Sequence, residues 1–288
     1  MRNKVIMFIL VVGAVFGILS AFNEIPRKEI GLQLYSIRED IGKNLQASID
    51  SVAAAGYTFV EAANYENGKF YNMEPQAFRR MLDEKKLRFI SSHIGRDLPD
   101  SLNYAETMAW WDKAIAAHQA AGVSYIVQPW MGKVGYNSLE GLQRYCDYFN
   151  EVGNKCNKAG IRFGYHNHSD EFLQLDGETI YDYMLTHTDP EKVFFQIDVY
   201  WATKGGANPI DYMTRYPGRF ELWHVKDEKE IGASGEIDFE AIYQKASEAG
   251  MKYAIIEQED FTTTAFPGIR QSCEFIQKAP YVKNTYSN

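Results

Sequence analysis

Between Ile30 and Lys278 the chain alternates a short apolar run with a longer amphipathic segment, eight times over. The runs are Ile30–Tyr35, Tyr57–Glu61, Arg88–His93, Val123–Gln128, Ile161–Tyr165, Val193–Ile197, Phe220–Val225 and Tyr253–Ile256. Their length and their β-branched and aromatic content predict strands. Between them, apolar residues recur at helical spacing, as in Leu45–Ala55, Pro75–Lys85, Tyr104–Ala121, Ser138–Ala159 and Asp238–Ala249. Gly56, Gly122, Gly160 and Gly250 stand where such helices would stop, and Pro75 suits a first turn. Eight strand–helix units in about 250 residues predict a single α/β domain, a (β/α)8 TIM barrel over residues 30–280. An open doubly wound sheet would carry a Gly-rich phosphate loop after its first strand, and Tyr35-Ser-Ile-Arg-Glu-Asp40 is not one. No linker or low-complexity tract divides the chain, and the residues after Pro280 read as a loose polar tail.

Four of the predicted strands end in a side chain that ligates metals. These are His166 and His168 in Tyr165-His-Asn-His168, then Asp198, His224 and Glu257. Strand ends are where a parallel barrel keeps its chemistry. A carboxylate closing an apolar run, as at Asp198 and Glu257, is costly to bury unless something compensates its charge. Separate ion pairs, such as Asp198 with Lys226, would account for each residue singly but not for their shared location. Mixed imidazole and carboxylate ligands suit one divalent cation, Mn²⁺, Co²⁺, Zn²⁺ or Fe²⁺, rather than Ca²⁺. Spacing alone leaves open whether His166 or His168 is the ligand.

The rest of the sequence narrows the function class. A net charge of −8 with no Lys/Arg block opposes nucleic-acid and anionic-membrane partners. Cys146, Cys156 and Cys273 form no even set and no CxxC pair, so neither a disulfide framework nor a cysteine zinc site is expected. Arg2 and Lys4 precede an apolar run, Val5 to Phe22, that ends in small residues at Leu19-Ser-Ala21. Residues 1–21 are therefore expected to be a secretory signal, with a retained membrane anchor as the alternative. No cysteine follows to suggest a lipid anchor, and the mature protein is expected to be periplasmic or secreted, with no stable membrane partner. Assembly into a homo-oligomer stays open.

Several motifs together carry a family resemblance. Gly31-Leu-Gln-Leu-Tyr-Ser-Ile-Arg38, Ala55-Gly-Tyr-Thr-Phe-Val-Glu61, Tyr165-His-Asn-His168, Ile197-Asp-Val-Tyr-Trp201, His224-Val-Lys-Asp227, Gly235-Glu-Ile-Asp-Phe239 and Ile256-Glu-Gln-Glu-Asp260 resemble, in order and spacing, the sugar phosphate isomerase/epimerase group of xylose-isomerase-like barrels. The resemblance implies a divalent metal held at the top of the barrel by residues of strands five to eight. His166, Asp198, His224 and Glu257 match those positions. Where many ketose epimerases of the group keep a proton-moving glutamate on strand five, this chain has His166. One partner of the two-glutamate proton shuttle is therefore missing.

The expected function is that of a metal-dependent isomerase or epimerase acting on an unphosphorylated sugar or keto-sugar. Proton abstraction next to a metal-polarised carbonyl would be carried by Glu257, Lys226 or His168. Lys226 shares the face of His224; a nearby cation would lower its pKa, while a surface lysine paired with Asp227 is the plainer alternative. Glu61 and His93, at the ends of strands two and three, are expected to bind sugar hydroxyls. Trp130, Tyr200 and Trp201 are expected to wall the pocket by stacking on a sugar ring. A β-eliminating lyase or hydratase acting on a keto-glycoside is the rival on the same site. An endonuclease IV-like phosphodiesterase is opposed by charge and by too few ligands, and a non-catalytic sugar-binding barrel would need no metal.

Overall fold

The computed structural model describes residues 27–287; the leader segment expected to direct export or anchor the chain lies outside them. Eight parallel strands close into a barrel: β1 (Gly31–Gln33), β2 (Phe59–Ala62), β3 (Arg88–His93), β4 (Tyr125–Gln128), β5 (Arg162–His166), β6 (Val193–Asp198), β7 (Leu222–Val225) and β8 (Tyr253–Ile256). Each strand pairs with its sequence neighbours, and β8 closes on β1. The main outer helices are α1 (Leu45–Ala55), α2 (Pro75–Glu84), α3 (Tyr104–Ala121), α4 (Leu139–Lys158), α5 (Ile180–His187), α6 (Pro209–Arg215), α7 (Phe239–Gln244) and α8 (Ala265–Lys278). All four glycines expected to stop helices adopt positive φ. Among the described residues no helix is long and apolar enough to cross a membrane.

The largest core lies between strands and helices, and a second one fills the barrel's lower half. Phe59, Ile90, Tyr125, Val127, Phe194, Leu222 and Ile255 form that inner floor. Two glycines make room for its rings. A Cβ on Gly31 would lie 2.1 Å from the Phe59 ring, and one on Gly164 would lie 2.6 Å from the Phe194 ring. Phe59 and Phe194 are almost wholly buried, so truncating either to Ala costs about 3–5 kcal/mol.

Successive inward positions on a strand are two residues apart. Moving up each strand from the floor, the side chains become polar: Phe59 gives way to Glu61, Phe194 to Gln196 and Asp198, and Leu222 to His224 and Lys226. Register aligns the strand ends, with Asp198 opposite His224 and Gln196 opposite His166.

Three local expectations change. β1 ends at Gln33 rather than Tyr35, because the Gln33 side chain accepts from the Tyr35 N–H at 3.0 Å and turns the chain into a 3-10 helix, Leu34–Ile37. The segment expected as one helix over Asp238–Ala249 breaks after Gln244, resuming at Ala246–Ala249. The tail is docked rather than loose. Tyr281 and Tyr286 lie 5.9 and 6.3 Å from the Tyr243 ring, and Thr285 donates to Glu29 at 2.8 Å. The three cysteines are buried and free.

Candidate metal centre and active site

One donor atom from each of His166, Asp198, His224 and Glu257 lies within 4.8 Å of the other three, and all four residues are buried. His166 ends β5, Asp198 ends β6, His224 lies in β7, and Glu257 follows β8. Of the two strand-five histidines, His166 joins the cluster and His168 does not.

Two of the ligand candidates, Asp198 and His224, are aimed by a bond made with their other atoms. Asp198 Oδ1 accepts from the Trp201 N–H at 2.8 Å, capping a short helix, Val199–Lys204. His224 Nε2–H donates to Glu61 Oε1 at 2.6 Å, which directs its Nδ1 towards Glu257 Oε2 at 3.3 Å and Asp198 Oδ2 at 3.9 Å. A carboxylate behind a histidine sets the tautomer in this way in many metal sites. Three atoms of this cluster are buried with no hydrogen-bond partner among the described residues: His166 Nδ1, His224 Nδ1 and Asp198 Oδ2. Such orphans are costly. Two imidazoles and two carboxylates converging on one point fit a divalent cation, and this supports a metal here.

The electrostatics are those of a site built to hold positive charge. Burial pushes the Asp198 carboxyl up to about 7, against Lys226 and His224, which pull it down. Burial holds His166 well below the usual imidazole range, reinforced by His224 and His168, so the neutral ring keeps one nitrogen lone pair to ligate. Burial would lower His224 too, but Glu61 and Glu257 outweigh it and raise it to about 10. For Glu257, burial raises the pKa, and His224 and Lys226 more than reverse this, holding it well below the carboxylate range.

A cavity of about 420 Å³ opens above the cluster, lined by Tyr35, His93, Trp130, His166, His168, Glu257 and Glu259 among others. His168 stands on its wall, with its backbone N–H donating to Glu171 at 2.8 Å. Burial lowers its pKa, against Glu171 and Glu257. Lys226 is neither a surface residue nor paired with Asp227. It is 2% exposed, 3.4 Å from Glu257 Oε2 and bonded to Glu259. Burial lowers its pKa, yet Glu257, Asp198 and Glu259 raise it above the ordinary lysine value. Asp227 instead accepts from the backbone of Glu228 and Gly232, at 2.7 and 2.9 Å.

The residues expected to contact substrate lie at different depths. Glu61 is fully buried, and its oxygens are taken by Gln33, Ser91, Gln196 and His224 at 2.5–2.9 Å. It lies against the candidate ligand His224 and is not among the residues lining the cavity. Burial raises its pKa, but His93 and His224 hold it well below the carboxylate range. His93 keeps a place on the cavity wall, yet its Nε2 bonds Gln196 Oε1 at 2.6 Å. Trp201 does not line the cavity. Its ring lies 5.4 Å from Lys226 Nζ and 5.9 Å from the His168 ring. Tyr200 is likewise off the cavity, with Lys204 5.4 Å from its ring, whereas Trp130 stands on the wall as expected.

Sequence reasoning missed Gln196, Glu259 and Glu171. The first two were legible by period, since Gln196 and Asp198, like Glu257 and Glu259, lie two residues apart. Glu171 gave no signal. It is buried in the loop after β5 and accepts from Tyr136 and Tyr165 at 2.6 Å each.

The family model of the xylose isomerase-like TIM barrel matches residues 49–279. The chain belongs to that family. A sugar phosphate isomerase/epimerase from Parabacteroides distasonis ATCC 8503 is 34% identical and superimposes with a TM-score of 0.85, over 91% of this chain and 99% of that one. The inosose dehydratase of Lacticaseibacillus casei is 24% identical over 271 residues, covering 79% of this chain and 87% of the dehydratase. The IOLI protein, whose crystal structure holds a zinc atom, shares the fold at 15% identity and a TM-score of 0.67, over 90% of this chain and 100% of that one.

Proposed function

We propose that this chain is a metal-dependent sugar isomerase or epimerase that removes the proton next to a carbonyl of an unphosphorylated sugar or keto-sugar. The observation carrying this reading is the set of orphaned buried donors on His166, Asp198 and His224, converging with Glu257 under an open cavity. His166, Asp198, His224 and Glu257 would hold a divalent ion, which when bound supplies Lewis acidity towards a substrate oxygen. Mn²⁺, Co²⁺, Zn²⁺ and Fe²⁺ all suit that donor set. Glu257 and His168 reach the cavity as proton acceptors. Lys226, off the cavity itself and beside the wall carboxylates Glu257 and Glu259, would serve as an acid or charge-neutralising group acting through Glu257. Trp130 offers a face to the sugar ring.

Elimination is the second reading, and the donor set itself favours it. The carboxylates on the cavity wall, Glu257 and Glu259, both follow β8, while His166 occupies the end of β5. A proton acceptor and a proton donor on one side suffice for loss of water or an alcohol, and a relative named as a dehydratase supports this outcome. Export belongs to the proposal as well, supported by Arg2, Lys4 and the apolar run that follows them; N-terminal sequencing of the mature protein tests it.

Both readings begin with the same proton transfer. Incubation of the protein with Mn²⁺ or Co²⁺ and a panel of keto-sugars in D2O should wash deuterium into the carbon beside the carbonyl, seen by NMR. An absence of exchange across the panel would overturn the proposal, while growth of an alkene-type absorbance would select elimination.

A further inference from the structure

The cavity above the cluster does not stand alone. A second cavity of about 380 Å³ adjoins it and shares two wall residues, Tyr35 and Ala63. Both volumes fall within the range of small-ligand sites. Tyr35, the partition between them, is 42% exposed, and Trp130 on the first cavity is 40% exposed. Arg38 fixes the Tyr35 ring, with its guanidinium 4.2 Å from the centroid and Nη1 donating to the Tyr35 carbonyl at 3.0 Å. Exposed aromatic faces on one mouth are surfaces for the C–H faces of sugar rings.

The far wall of the second cavity carries Asn64, Tyr71 and Asn72. The exposed amides of Asn64 and Asn72 offer both donors and acceptors, as adjacent hydroxyls require. Tyr71 and Asn72 both lie in the left-handed region, at φ +49° and +65°. Ala63 N–H donates to the Tyr71 hydroxyl at 3.0 Å, and Tyr71 N–H donates to Asn64 Oδ1 at 3.3 Å. A bulky aromatic holds that backbone only where its surroundings over-determine it, and such positions cluster at ligand clamps.

We propose that the substrate is a glycoside of at least two units, with the reacting sugar at the His166–Asp198–His224–Glu257 cluster and the second unit seated on Tyr35 in the neighbouring cavity. The proposal rests on the sugar chemistry argued above and deepens it by naming the substrate class. A phosphate fits the second cavity poorly. Among the described residues Arg38 is the one cation on its wall, and it is already engaged with Tyr35. Strong phosphate recognition uses several converging donors.

Isothermal titration of the Mn²⁺-loaded protein with glucose, cellobiose, maltose and glucose 6-phosphate tests this. One disaccharide should bind about tenfold tighter than glucose, the upper end of what one aromatic face contributes. Asn72→Gly removes an amide while keeping the left-handed backbone, and Tyr35→Ala removes the partition. Each should lower the disaccharide-to-glucose affinity ratio. Equal affinities in the unaltered protein, a ratio unchanged in both variants, or tightest binding of glucose 6-phosphate would overturn the second-unit proposal alone. Failure of all four probes to bind would remove the sugar reading as well.

Discussion

Glu61→Gln isolates the role of the buried carboxylate beneath the candidate metal centre. The substitution keeps the shape and turns one acceptor oxygen into an NH2 donor. In the native site Oε1 accepts from Gln33 Nε2 at 2.8 Å and His224 Nε2 at 2.6 Å, while Oε2 accepts from Ser91 Oγ at 2.5 Å and Gln196 Nε2 at 2.9 Å. An NH2 on either side therefore faces an N–H donor that accepts nothing as placed. The Ser91 hydroxyl can rotate, but turning the Gln196 amide would break its bond with His93. One charge-assisted bond lost and one donor left unpaired cost about 2–4 kcal/mol of stability. The larger consequence is for His224, whose Nδ1 faces the cluster because Nε2 holds the proton on Glu61. Loss of such a supporting carboxylate weakens metal binding by about 10- to 100-fold, or about 1.4–2.7 kcal/mol. Titration of Zn²⁺ against a competing chelator measures this, with a thermal melt of the metal-free protein alongside. A lowered Tm with metal affinity within about twofold of the native value would refute the argument, because Glu61 would then be a packing element and nothing more.

Three further outcomes are expected. Glu257→Gln should slow deuterium exchange by about 10²- to 10⁴-fold, the span for losing a positioned acid or base, and undiminished exchange would remove Glu257 from the mechanism. Gly164→Ala should lower stability by about 1–3 kcal/mol, because the new methyl meets the Phe194 ring at 2.6 Å; an unchanged urea midpoint would show that the ring yields freely. His118, packed in α3 against Tyr65 and Phe70, has its pKa pushed down to about 4 by burial. The unfolded chain therefore takes up its proton first, and stability contributed by the neutral ring above about pH 6.5 is lost as pH falls towards 4, by about 3 kcal/mol in all. Urea melts at several pH values should show that slope, and His118→Leu should flatten it; an equal slope in the variant counts against the assignment.

The order of eight units and the strand ends that carry candidate ligands were legible because both follow simple periods, although spacing left His166 and His168 undecided. A strand shows its faces every second residue, so Leu222, His224 and Lys226 declare one inward face with no partner in view. Helices announce their ends through residues such as Gly56 and Gly122. What sequence alone determined was therefore what each element needs locally: its type, its face and the side chain at its end. The tertiary structure decided which inward groups meet across the barrel axis, since that depends on closure and register, which no local pattern carries. Glu61 and His224 lie 163 residues apart and bond only because the barrel closes with both at one level. The same closure buried Glu61 away from the cavity, set Lys226 between Glu257 and Glu259, turned Trp201 off the cavity, and laid the tail against Tyr243.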